Sequence, residues 1–143
     1  MDLDAVCVAI AANITAAELT VAGHGLTATP FAPDALTAPH FFTAEFTGEY
    51  KKSFNSLMEM TLTCRLMLAR ADDRSGQQQI RRLASTGEST IAAAFDSMRG
   101  APGQSALSGA CDDLYLRRVQ GPRLFTIGAE QYYGLEFTVF VMG

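Results

Sequence analysis

Met58-Glu59-Met60-Thr61-Leu62-Thr63-Cys64-Arg65-Leu66-Met67-Leu68 carries an apolar side chain at every even position and, until Met67, a polar one at every odd position. A period of two sustained over this length predicts a central, half-buried strand. One face enters the core; the other, with Glu59, Thr61, Thr63 and Arg65, meets something wet. The strand is expected to stop at Ala69-Arg70-Ala71-Asp72-Asp73-Arg74, where an aspartate is placed to accept from the free backbone N–H groups that open a helix.

The chain around this strand has 143 residues, one domain's length, and a chain of that size buries roughly two-thirds of its unfolded surface without staples. Cys7, Cys64 and Cys111 are odd in number and widely spaced, which suits reduced thiols in a reducing compartment. No apolar run approaches the ~20 residues that span a bilayer, and no basic segment leads into an apolar one at the start, so the expectation is a soluble, unprocessed chain with no membrane partner. Eleven basic and fifteen acidic residues give a net charge of -4. A general positive field that would hold phosphate backbones is therefore missing.

Leu3, Val6, Cys7, Ile10 and Ile14 fall on one helix face behind Asp2, predicting an amphipathic helix from Asp2 to about Thr15 whose outer face is mostly alanine. Gly23 and Gly25 break the chain. Leu26 to Phe31 reads as a short strand, and Pro30, Pro33 and Pro39 place it at an edge. His40 to Phe46 is a second strand, buried in part on both sides. The polar stretch Thr47 to Leu57 joins it to the Met58 strand as a hairpin with an extended arm, Tyr50, Lys51, Lys52 and Phe54 offering aromatics and cations. A short helix is expected over Asp73 to Ala84, with Arg81 and Arg82 facing water. Ser85-Thr86-Gly87-Glu88 resembles a capping box, and Ile91, Ala94, Phe95 and Met98 mark the helical face that follows. Gly100 to Gly109 is a loop by composition. Leu114 to Gln120 and Arg123 to Ile127 read as two strands separated by a Gly-Pro turn, and Tyr132 to Met142 as a terminal strand expected beside the Met58 strand. The order predicts an α+β domain, a mainly antiparallel sheet with helices packed on one face.

No motif carries a reaction. His24 and His40 are far apart and the cysteines form no CxxC pair, so neither a metal centre nor a cofactor is expected. The pairs Asp72-Asp73 and Asp112-Asp113 suit the starts of elements better than paired acid-base chemistry. No GxSxG elbow occurs, and Gly23-His24-Gly25 is too short for a phosphate loop. The basic pairs Lys51-Lys52, Arg81-Arg82 and Arg117-Arg118 suit solvated faces or a lining formed on oligomerisation. On residues alone, an enzyme has no support.

Leu68-Ala69-Arg70-Ala71-Asp72-Asp73-Arg74 with the glutamine-rich segment after it, and Tyr132-Tyr133-Gly134-Leu135-Glu136-Phe137-Thr138-Val139, resemble the corresponding segments of small tail-joining proteins, the tail terminators, from long-tailed phages of actinobacteria. The similarity in layout extends over most of the chain. It implies a structural virion protein, assembled in the host cytoplasm, whose subunits form a homo-oligomeric ring, usually a hexamer. Such a ring caps the finished tail tube, blocks further addition of tail tube protein, and presents its other face to the head-tail connector or stopper. DNA passes through the lumen without sequence-specific binding. Closed rings use two different patches on each subunit, and the candidate subunit or tube contacts are Tyr50, Lys51, Lys52, Phe54, Arg65, Arg70, Asp72 and Asp73, together with the loop Gly100 to Gly109. Two other readings stay open: a head-to-tail stopper of the neck, and a small-molecule-binding or hydrolytic α+β domain.

Overall fold

The computed structural model describes residues 1–50, 58–70 and 79–143. The Met58 strand is observed as β5, Met58–Arg70, and it sits in the middle of a five-stranded sheet. On one side lies β4, His40–Tyr50, followed by the short β3, Thr27–Thr29; on the other lie β7, Glu130–Met142, and the outermost β6, Asp113–Ile127. Every pairing is antiparallel except β3 with β4. The expected neighbour relation between the Met58 strand and the terminal strand is thus observed, running from Glu59 opposite Met142 to Arg70 opposite Tyr132.

The period-two pattern resolves into two faces. Met60, Leu62, Cys64, Leu66 and Leu68 of β5 and Leu135, Phe137, Val139 and Val141 of β7 point toward the helices and are buried. Against them pack α1, Leu3–Ala16, through Val6, Ile10 and Ile14; α2, Ile80–Ala84, through Ile80 and Leu83; and α3, Ile91–Met98, through Ile91, Ala94, Phe95 and Met98. Phe41 links strand to helix, its ring 6.2 Å from Phe95 and 6.4 Å from Phe137. Asp2 caps α1 as its sequence implies, accepting from the N–H groups of Asp4 and Ala5.

Among the described residues no helix lies on the opposite face of the sheet, yet that face is drier than its sequence suggests. At one end Met67, expected at the margin of the wet face, is fully buried with Phe42 and Tyr132 beneath Leu36 and Ala38, whose segment folds over the sheet. Tyr132 donates its hydroxyl to Leu36 O at 3.2 Å, so the phenol enters this small cluster without an unpaired polar atom.

Several boundaries differ from expectation for local physical reasons. Polar Thr47 to Tyr50, read as loop, continues β4, and Gly48 opposite Met60 leaves room for the methionine side chain, whose sulfur would lie 2.2 Å from an added Cβ. The two expected strands 114–120 and 123–127 are one strand, because Gly121 and Pro122 fit into a register shift between Gln120 and Arg123. Gly121 has φ +149, and a Cβ there would meet Leu135 Cδ2 at 2.6 Å. The Ser85–Glu88 capping box does not form. Ser85 donates to Arg81 O at the end of α2, whereas Thr90 caps α3, accepting from Ala93 N and donating to Gly87 O. Ala22 and Gly23, both at positive φ, form the two-residue turn of a small hairpin between β1, Thr20–Val21, and β2, His24–Gly25.

His40 anchors the edge of the sheet. It is buried between the hydroxyls of Thr27 and Thr29, 2.6 Å from Nδ1 and 2.9 Å from Nε2. Thr29 Oγ1 donates to Phe31 O at 2.7 Å, so it accepts from Nε2–H; Thr27 Oγ1 then donates to Nδ1 in preference to the longer 3.3 Å contact with Pro39 O. The arrangement suits a neutral ring, and burial pushes the His40 pKa below its ordinary value. A lowered histidine pKa makes the unfolded chain bind the extra proton first. Stability is therefore expected to fall as pH drops through ~6.5, the ordinary histidine value, and this loss should be absent in His40→Gln. Urea midpoints of the two proteins across that window measure the difference.

Candidate functional site

The open sheet face is the candidate site, and Arg65 stands at its centre. The register puts Phe42, Arg65, Glu136 and Gln120 in one row across four strands. From that row a chain of charges runs across the sheet. Arg65 Nη2 reaches Glu45 Oε1 at 3.4 Å, Arg65 Nε reaches Glu136 Oε2 at 3.3 Å, and Arg123 Nη1 lies 3.5 Å from Glu136 Oε1. The Arg65 guanidinium also lies over the Phe125 ring, 5.1 Å from its centroid. Arg65 and Glu136 are the dry members, 26% and 16% exposed, while Glu45 is open to water. Alternating sign along the chain leaves no charge without an opposite neighbour, which favours keeping it half-buried.

The remaining rows grade toward the far end of the sheet. Glu45, Thr63, Thr138 and Arg118 form one row, and Thr47, Thr61, Phe140 and Tyr115 the next. Tyr115 and Phe140 pack against each other across β6 and β7, their rings tilted by 35° with centroids 5.3 Å apart. The surface is thus threonine and aromatic at one end, ionic in the middle and closed by the Met67 cluster at the other. It offers a broad contact area built on four strands.

The structure places the sequence-derived contact candidates at separate points. Tyr50 is the last described residue of β4 and is 83% exposed. Arg65 is mid-strand. Arg70 ends β5 and pairs with Glu130 at 2.6 Å. Tyr50 lies opposite Met58, so Arg70 is at the other end of β5, roughly 40 Å away at ~3.3 Å per residue. Lys51, Lys52, Phe54, Asp72 and Asp73 lie outside the described residues, as do the Asp72-Asp73 cap and the start of the helix expected from Asp73. Glu45, Glu136 and Arg123 were missed by sequence reasoning. The available signal was a lone arginine on the polar face of a central strand, which requires acidic partners on the strands beside it.

The loop Gly100 to Gly109 borders an open cleft of about 690 Å³ lined by residues 99–105 with Asp112 and Asp113. Its charged pair is self-satisfied. Arg99 donates from Nε to Asp113 Oδ1 at 3.1 Å and from Nη2 to Oδ2 at 2.9 Å, and this hydrogen-bonded guanidinium holds the Asp113 carboxyl below its usual range. Asp113 therefore makes a bidentate contact that ties the residue capping the end of α3 to the first residue of β6.

Burial pushes the Cys64 thiol up to about 12 and that of Cys111 up to about 11, and raises that of Cys7; all three cysteines are free. These thiols stay protonated at neutral pH. Among the described residues no three His, Cys, Asp or Glu side chains gather as ligands for a metal ion, and no helix is long and apolar enough to cross a membrane. The geometry suits a contact surface built on a rigid sheet. No protein-family model and no curated protein sequence matches the chain.

Proposed function

We propose that this chain is the subunit of a ring that caps a phage tail tube, ends its polymerisation and joins the tail to the head connector. The observation that carries the reading is the architecture itself: helices on one face of a five-stranded sheet, the other face open, and the β4–β5 hairpin running out to Tyr50. It agrees with the layout implied by the resemblance of the Leu68–Arg74 and Tyr132–Val139 segments to tail-joining proteins. A flat, half-buried sheet face and exposed strand edges suit work done by interfaces rather than by a pocket. The partners in this reading are further copies of the chain in a hexameric ring, the tail tube protein and the connector or stopper, with DNA crossing the lumen unread; the site of action is the tail and neck of the virion.

Removing the gene from the phage tests the function. Electron micrographs of the lysate are expected to show tails of uncontrolled length detached from full capsids. Tails of normal length beside capsids that have lost their DNA would instead assign the chain to the stopper position of the neck. Normal phage would return it to the small-molecule-binding or hydrolytic class, with the Gly100–Gly109 cleft as the first place to look.

A further inference from the structure

Among the described residues the sheet has two uncovered edges, and they differ in charge. β3 pairs only with His40, Phe41 and Phe42, so among the described residues the outer edge of β4 from Thr43 to Tyr50 has no strand beside it. At the opposite end β6 is outermost along its whole length. The β4 edge carries Glu45 and Glu49; the β6 edge carries Arg117, Arg118 and Arg123. Exposed edges invite pairing with another chain, and charges of one sign on an edge discourage it from pairing with itself. Here the signs disfavour β4 on β4 and β6 on β6, the two-fold arrangements, and favour β4 on β6.

We propose that copies of this chain join edge to edge, the free half of β4 in one copy lying along β6 of the next and continuing the sheet from subunit to subunit. Strand direction agrees. Along β4, β5, β7 and β6 direction alternates, so β4 and β6 run opposite ways, and a neighbour rotated about an axis along the strands sets its β4 antiparallel to β6. The side chains also agree row by row. Glu45 and Arg118 occupy the two ends of one row; Phe46 and Leu116 occupy the ends of the row through Leu62 and Val139; Thr47 and Tyr115 end the next. In register, a neighbour therefore brings opposite charges together on the open face, apolar side chains together on the helix face, and an aromatic against a small residue. Phe46, 62% exposed, and Phe31, 66% exposed, flank an apolar groove of about 280 Å³ between α1 and β4, which the neighbour would cover. In the Glu49 row the opposing residue is Asp113, whose charge Arg99 already holds. The contact is heterologous, two different edges meeting, and so produces a ring or a filament rather than a dimer.

The inference shares with the proposed function only that copies associate, and it holds for a ring of any purpose. Arg118→Glu tests it, because Arg118 is exposed and its reversal leaves the Arg65 chain intact. Self-association of the full chain, followed by sedimentation velocity at low salt and high protein concentration, is expected to weaken roughly tenfold or more, since an attractive cross-strand pair becomes repulsive. Arg118→Gln, which removes the attraction without adding a repulsion and likewise leaves the Arg65 chain intact, should weaken it less. Amide exchange in Glu45–Tyr50 and Leu114–Gln120 should slow on association in the wild type. Association that ignores Arg118, a reversal that weakens it no more than Arg118→Gln does, or a wild-type chain that stays monomeric would each overturn the edge pairing. The first two would leave the ring reading standing, and edge-dependent association in a phage whose tails keep normal length without the gene would overturn the tail function alone.

Discussion

Phe137→Ala is expected to lower the unfolding free energy by about 3–5 kcal/mol, the range for truncating a buried phenylalanine. Phe137 is fully buried in β7, opposite Cys64 of β5 and Val119 of β6, with its ring 6.4 Å from that of Phe41. It therefore ties three strands to the helix layer, and Phe41 passes the contact on to Phe95 of α3. The backbone ladders to β5 and β6 hold the floor of the resulting cavity in place and so limit its collapse. Against a total stability of roughly 5–15 kcal/mol for a domain of this kind, the loss is a large fraction. Urea unfolding should show the midpoint falling with an unchanged slope; a shift of less than ~1 kcal/mol would mean that the sheet and helix layer can close over the gap.

Arg65→Glu is expected to cost about 2–4 kcal/mol, through loss of charge-assisted hydrogen bonds and creation of a carboxylate beside two others. Glu136, 16% exposed, would keep only Arg123 at 3.5 Å, and Glu45 would face a like charge. The Phe125 ring would lose the cation above it. Arg65→Met separates the parts: it keeps the aliphatic cover over Phe125 and removes only the charge, so it should fall between the wild type and the reversal. Thermal melts of the three proteins at low and high salt check the order. Because Arg65 is committed to partners within its own chain, reversing it perturbs the fold first, and any assembly defect has to be judged on a variant whose melt is unchanged. Arg118, exposed and outside that chain of charges, is expected to meet that condition where Arg65 does not.

The elements that could be read from residue order are those buried on one face. β5 and β7 alternate because one side of each meets the helices, and α1 and α3 show a helical stripe for the same reason. Thr47 to Tyr50 shows no period because most of this segment is exposed on both faces, and without burial there is no pattern to detect. Gly121-Pro122 looks like a turn because a bulge uses the same residues as a turn. The Ser85 motif had the right spacing, but Thr90 adjoins Ile91, where the buried face of α3 begins, and packing decided between the two starts. At the site, Arg65 was identifiable as an outlier on its strand. Its partners at positions 45, 123 and 136 were not, since only strand register brings them within reach.

The small Phe42–Met67–Tyr132 cluster has a mechanical meaning. It gives one end of the sheet packing on both faces, with Leu66 and Leu68 gripped from below and Met67 from above. Toward Tyr50 and Met58 the grip comes from one face and then from neither, as exposure of β4 rises from Ala44 onward. The hairpin is therefore a beam clamped at its base. A push or pull delivered at Tyr50 bends the free span and is resisted at the clamp, so the far end of the sheet and its helix layer feel a torque rather than a local dent.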